Sequence, residues 1–321
     1  MAVFTELDTV EASRISRAHG LGETARVTPI AAGSVNSNFF VDTAAGTFFL
    51  RIYEEQDVDG VAYEWALVDH LRARGLAVAA RAAGPEAGAL RVQGKPVALF
   101  EIVGGAQSCQ RAVTQARARE VGRFLARAHD AGRGFPLHRA GRFGFGDIAA
   151  RIEVARTAAR PELDAPLERL ERALEEAKRE WPNDAPIGVI HGDLFRDNVH
   201  WGEGDRIVAV LDWESASDGV FMFDVMVAVL AWTYDDALRW DLARALVRGY
   251  REVRELDPSE WRALRPCGIA AAARFSVTRI TDFYLRSGAI GARVQKDYRR
   301  FLSRLEELSG STHEELAAAL T

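Results

Sequence analysis

The stretch VIHGDLFRDNVHW, residues 189–201, sets Asp193 and Asn198 five positions apart between an apolar lead-in and an apolar exit. The lead-in reads as a short strand, so Asp193 falls on a loop that holds a carboxylate at an edge without burying it. Asn198 adds an amide oxygen. Fourteen residues further on, IVAVLDW (207–213) carries a second strand pattern that runs out on Asp212. Alone, an Asp or Asn here reads as a turn former that bonds nearby backbone. Together, two oxygen donors on successive loops, Asn198 and Asp212, beside a second carboxylate, that of Asp193, suit magnesium. That ion takes hard oxygen ligands, keeps several waters and relies on one or two protein groups plus substrate phosphates. Asn198 and Asp212 meet that count. Asp193, left off the metal, is placed to accept or orient the proton of a hydroxyl attacking a γ-phosphate.

Composition is consistent with that chemistry. With 321 residues, 48% of them apolar, the chain supports two lobes, each with its own core. A net charge of -5 argues against a phosphate-tracking surface for nucleic acid and favours a small-molecule substrate. Cys109 and Cys267 are too few and too far apart for a disulfide framework or a thiolate metal site, which fits a reducing cytoplasm. The opening MAVFTELDTVEASR has acids where an export signal needs basic and then apolar residues, and Asp224 interrupts the best candidate for a membrane span.

Working outward from the motif, the runs SNFFVDT and GTFFLRIY flank the turn AAG as an antiparallel hairpin does. A helix is expected over Val61 to Arg74, then strands at ALRVQ and PVALFEI joined by a GK turn, then the break Gly104-Gly105. Beyond it the period turns helical, at Ala112 to Asp130, Glu162 to Glu180 and in several helices from Val220 onward, with strands IGVI and IVAVLDW bracketing the opening motif. The expected fold class is α+β with two lobes: residues 1–103, an antiparallel sheet with one helix, and residues 104–321, mostly helical.

HGDLFRDN followed by LDWE resembles the catalytic and metal loops of the aminoglycoside phosphotransferase and choline kinase superfamily, relatives of the protein kinases. Within it, AAGSVNSNFFV, RGYREVREL and AARFSVTRITDFYL are similar to segments of bacterial homoserine kinases, a likeness running from the first hairpin to about Leu305. The resemblance implies a protein-kinase-like fold with a nucleotide-binding N-terminal lobe and a catalytic C-terminal lobe. It implies ATP and Mg²⁺ as cofactors, Asp193 as base, Asn198 and Asp212 as metal ligands, and His191 as a structural residue of the loop. Gly33, Ser34, Asn36, Ser37 and Asn38 stand where kinases carry a phosphate-covering flap. Arg51 takes the place of the phosphate-binding lysine with Glu64 as its helix partner, and Glu101, Ile102 and Val103 should meet the adenine edge. Arg196, where the family commonly has proline, is a cation three residues from Asp193 that offsets phosphoryl charge, binds a substrate carboxylate or faces solvent. Arg274, Arg279, Asp282 and Tyr284 recur near helical spacing and are candidates for the acceptor's ammonium and carboxylate. The implied acceptor is L-homoserine, a step of threonine biosynthesis. Alternatives are choline, ethanolamine, an aminoglycoside or another alcohol, or a catalytically silent nucleotide-binding regulator. A monomer or homodimer is expected.

Overall fold

The computed structural model describes residues 4–30, 35–286 and 296–321. Its described residues fall into two compact units. One holds the chain up to Gly104 together with Ala209–Glu214; the other holds Gly105–Val208 and the described residues from 215 onward.

In the first unit, helix α1 (Thr9–Ala18) leads into strands β1 (Thr24–Ile30), β2 (Ser37–Thr43) and β3 (Gly46–Ile52). Helix α2 (Val58–Ala73), the short strand β4 (Arg91–Val92) and β5 (Lys95–Glu101) follow. The sheet is antiparallel in the order β1-β2-β3-β5-β4. The β2–β3 hairpin forms around the expected AAG turn, with Gly46 at φ 127°, a conformation that L side chains rarely adopt. Phe39, Val41, Leu50, Ile52, Val97 and Leu99 pack with Ala12 and Ile15 of α1 into the core. Helix α2 starts three residues earlier than its apolar period suggests, because the Asp57 carboxylate accepts the Gly60 N–H and caps it there. The expectation of a single helix in this region needs correcting: α1 is also present, capped by Asp8, whose side chain accepts the Glu11 N–H. The segment 209–214 joins this unit because Val210 bridges Val78 in parallel and its N–H donates to the Ala77 carbonyl at 2.8 Å.

The second unit runs through α3 (Gln115–Ala131), α4 (Phe145–Thr157) and α5 (Asp164–Arg179) to β6 (Ile187–Ile190), β7 (Val199–Trp201), β8 (Ile207–Val210) and β9 (Ser217–Val220). Then come α6 (Phe221–Trp232), α7 (Trp240–Arg251), α8 (Pro258–Arg279), α9 (Arg299–Ser309) and α10 (His313–Leu320). Strand β6 pairs antiparallel with β9, and β7 forms a second ribbon with β8. The strands bracketing the motif therefore have partners, β7 and β9, that the apolar pattern does not announce. Helix α6, FMFDVMVAVLAW, is buried nearly all round, and Asp224 is its one charged residue. Helices α3 and α7 meet backbone to backbone: a methyl group on Gly122 would lie 1.9 Å from the Leu246 carbonyl oxygen, and one on Gly249 would lie 2.0 Å from that of Arg119. No described helix is long and apolar enough to cross a membrane.

Candidate active site

In the second unit the loop from His191 to Asn198 is fixed by its own backbone. The fully buried Asp224 carboxylate accepts the N–H groups of His191 and Gly192, each at 2.8 Å, and lies 3.1 Å from His129 Nε2. His129 Nδ1 in turn meets the Tyr250 hydroxyl at 2.7 Å, and its ring stacks on Phe221. Burial opposes the Asp224 charge, but His129, His191 and the loop amides outweigh it and hold the carboxyl below its ordinary value. A buried charge persists only when paired in this way. Gly192 turns the chain at φ 73°, and a Cβ there would approach the Ser215 carbonyl oxygen to 3.2 Å. The Arg274 guanidinium donates to the Gly192 carbonyl from the other side.

Within that clamp the Asp193 N–H donates to His191 Nδ1 at 3.2 Å, while Asp224 takes the main-chain N–H of His191. Asn198 donates its Nδ2 to the Asp193 carbonyl at 2.9 Å, which orients the amide and leaves Oδ1 as the atom for a hard cation. Asp193 and Asn198 are thus brought onto one rigid turn. The Arg196 guanidinium donates Nη1 to the Ala231 carbonyl near the end of α6. Of the four acceptor candidates, Asp282 pairs with Arg151 at 2.9 Å and the Tyr284 hydroxyl donates to Glu162 at 2.7 Å. Arg274 lines a cavity of about 290 Å³ with Phe143, Trp181 and Asp218, its guanidinium 3.9 Å from the Phe143 ring centre.

In the first unit the site residues gather around Arg51 on β3. Its Nη1 lies 3.0 Å from Asp212 Oδ1 and 3.8 Å from Glu64 Oε1 on α2. Asp212 holds φ 65°, a left-handed conformation unusual for a side-chain-bearing residue, so the turn that presents its carboxylate is strained. Burial works against the Arg51 charge, but Asp212, Tyr53, Glu64 and Glu214 outweigh it and raise its pKa. Glu64, 2% exposed, is pushed up to about 8 by burial, eased by Arg51 and reinforced by Glu214 and Asp212. Asn36 belongs to the same cluster, donating to Glu214 at 2.7 Å and accepting the Glu54 N–H. Arg51 Nε and Glu64 Oε2 are buried without a hydrogen-bond partner among the described residues.

Of the other flap and hinge candidates, Asn38 stands opposite Arg51 in the β2–β3 pairing. The Ser37 hydroxyl is engaged by Glu54 and by the N–H groups of Phe4 and Thr5. Asn38 donates to the Asn36 carbonyl, while its buried Oδ1 has no partner among the described residues. Gly33 and Ser34 lie outside the described residues. The Glu101 N–H is taken by the Ala80 carbonyl at 2.9 Å, Ile102 is exposed and Val103 half-buried.

A five-stranded antiparallel sheet with its arginine and helix glutamate, and a helical unit with an anchored HGD loop, define a protein-kinase-like phosphotransferase. Residues 26–266 match the phosphotransferase enzyme family, and the chain belongs to it. A homoserine kinase of Methylobacterium radiotolerans is 35% identical over 316 residues, covering 95% of each chain. One of Nitrobacter hamburgensis is 33% identical over 287 residues, covering 88% of this chain and 87% of its own. Among solved structures, an amicoumacin kinase in complex with AMP-PNP and Ca²⁺ superposes with a TM-score of 0.69 at 13% identity, covering 90% of this chain and 91% of its own.

His129, Tyr250 and Glu214 are the site residues that sequence reasoning missed. The available signal was Asp224, a lone acid in an otherwise apolar helix, which had to have partners.

Proposed function

We propose that the protein transfers the γ-phosphoryl group of ATP to the hydroxyl of L-homoserine, the substrate in its relatives' names, and so takes part in threonine biosynthesis. The observation that carries the reading is the Asp193 loop, whose backbone is locked by Asp224 and whose turn includes Asn198. A carboxylate held there accepts the hydroxyl proton as the oxygen attacks, and orientation supplies much of the rate. Arg51, with an unpartnered buried Nε, suits the α and β phosphates in a bidentate grip, with Glu64 fixing its direction. Asn198 Oδ1 and the Asp212 carboxylate, 29% exposed, are the donors for magnesium. Magnesium, when bound, neutralises charge on the transferring phosphates. Among the described residues no group of three or more His, Cys, Asp or Glu is arranged to hold a metal, and two oxygen donors completed by water and phosphate are what magnesium ordinarily uses. Arg196 has no assigned role in transfer, since its guanidinium serves the end of α6. Both cysteines are unpaired, as suits a cytoplasmic enzyme.

The test is ADP release by purified protein with ATP and Mg²⁺ across L-homoserine, choline, ethanolamine and an aminoglycoside. L-homoserine should give the highest kcat/KM, and chelating the metal should stop turnover. A better rate with another alcohol changes the acceptor, and tight ATP binding with no turnover on any of them favours a silent regulator.

A further inference from the structure

Beside the Asp193 loop, the second unit gathers arginines that form no ion pair among the described residues. The Arg279 and Arg304 guanidiniums lie over the same ring, 4.4 and 4.2 Å from the centre of Phe301. Arg304 also lies 4.3 Å from the Tyr234 ring centre and donates Nη1 to the Arg300 carbonyl one turn back on α9. Arg279 donates Nη1 to the Asp297 carbonyl at 3.0 Å. Among the described residues, none of Arg279, Arg300 and Arg304 has an Asp or Glu oxygen within 4.0 Å, although elsewhere the chain pairs its arginines freely. Arg304 is 3% exposed, and its Nε has no hydrogen-bond partner among the described residues. The sequence from 287 to 295, SGAIGARVQ, contains no acid that could supply one.

Like charges buried together disfavour one another unless an anion joins them. Burial first, then Arg279, Arg300 and Arg196, push Arg304 down to about 9 against Tyr234; burial and Arg300 bring Arg279 to about 10, with Asp193, Asp297 and Asp197 acting the other way. The Asp193 influence places the cluster within electrostatic reach of the catalytic carboxylate. The Phe301 ring under both arginines is 6.0 Å from Phe195, two residues after Asp193. Arg274, equally buried, differs in feeling Asp224 as well as Asp193 and in spending Nη1 on the Gly192 carbonyl.

We propose that Arg279 and Arg304, with Arg300 at the rim, bind the carboxylate of the acceptor and so select an amino-acid alcohol over a simple amino alcohol. The inference rests on the amino-acid acceptor proposed above. A guanidinium fork on an aromatic platform suits a planar carboxylate, and the aromatic faces keep the cations in place while the site is empty of anion.

The test compares L-homoserine with 3-aminopropan-1-ol, the same chain without its carboxylate, in wild type and in Arg279→Gln and Arg304→Gln. In wild type kcat/KM should favour L-homoserine by about a hundredfold. In each variant that ratio should fall at least about tenfold, through a raised KM for L-homoserine, with KM for ATP little changed. Arg279 is the less buried residue, so its variant carries the test if Arg304→Gln melts below the assay temperature. A wild-type enzyme that turns over both acceptors alike, or variants that lose both equally, overturns the carboxylate site and leaves the kinase reading standing. Turnover of neither acceptor contradicts the proposed function and removes this site with it.

Discussion

Arg51 faces Asp212 and Glu64, with Glu214 close behind, so one cation serves three carboxylates in a largely buried place. The least solvated of them, Glu64, answers by holding its proton to about pH 8, well above its ordinary value near 4.5. The folded chain therefore binds a proton that the unfolded chain has released across that window. The stability linked to it is complete below about pH 4.5 and is lost as pH rises through about 8. Without nucleotide, the melting temperature of the wild type should fall between about pH 5 and pH 9 more steeply than that of Glu64→Gln, which cannot titrate. Parallel melting curves across this range would show that Glu64 is ionised in the folded protein. The same pairing was partly legible in the sequence, because a cation on a strand and an acid on the following helix match a known arrangement. Glu214 was not, because its partner Asn36 lies 178 residues away and meets it only in the folded unit.

At the scale of elements, what the sequence disclosed follows from length and period. Strands β2, β3 and β5, each of seven residues, carry enough pattern to be read, as does α2. Strand β7, of three residues, is too short to establish a period, β9 (SDGV) has too few apolar residues to show one, and α6 is apolar on every face but for Asp224 and so has none. The end of α3 nearest its cap shifted because Thr114, whose hydroxyl accepts the Arg117 N–H, starts the helix later than the apolar run suggests. The α3–α7 contact was hidden for another reason. Gly122 and Gly249 read as neutral or weak helix residues, yet each leaves room for the other helix's backbone. Alanine at either position must push the pair apart, costing about 1–3 kcal/mol. Urea unfolding of Gly122→Ala or Gly249→Ala should show a lower midpoint at an unchanged slope. Gly146→Ala, in open space on α4, should be neutral or slightly stabilising. Equal midpoints for all three would mean that α3 and α7 do not meet in this way.

Across the whole molecule the proposed phosphate-binding cation, Arg51, falls to the first unit and the proposed base, Asp193, to the second. Asp193 and Asn198 were legible because five-residue spacing on a tight turn is a local property. Their support was not: His129 lies 95 residues from Asp224, and Arg274 lies 82 from Gly192. Only folding brings such groups together, so a motif reveals the reacting atoms well before it reveals what holds them. The arginines around Phe301 extend that lesson, coming from the end of α8 and from α9. The most direct test of the assigned chemistry is the rate of phosphoryl transfer by Asp193→Asn at saturating ATP, Mg²⁺ and L-homoserine, measured beside its affinity for the nucleotide. A fall of about a hundredfold or more, with nucleotide affinity within a few-fold of wild type, is the expected result. Turnover close to wild type in that variant would contradict Asp193 as the base.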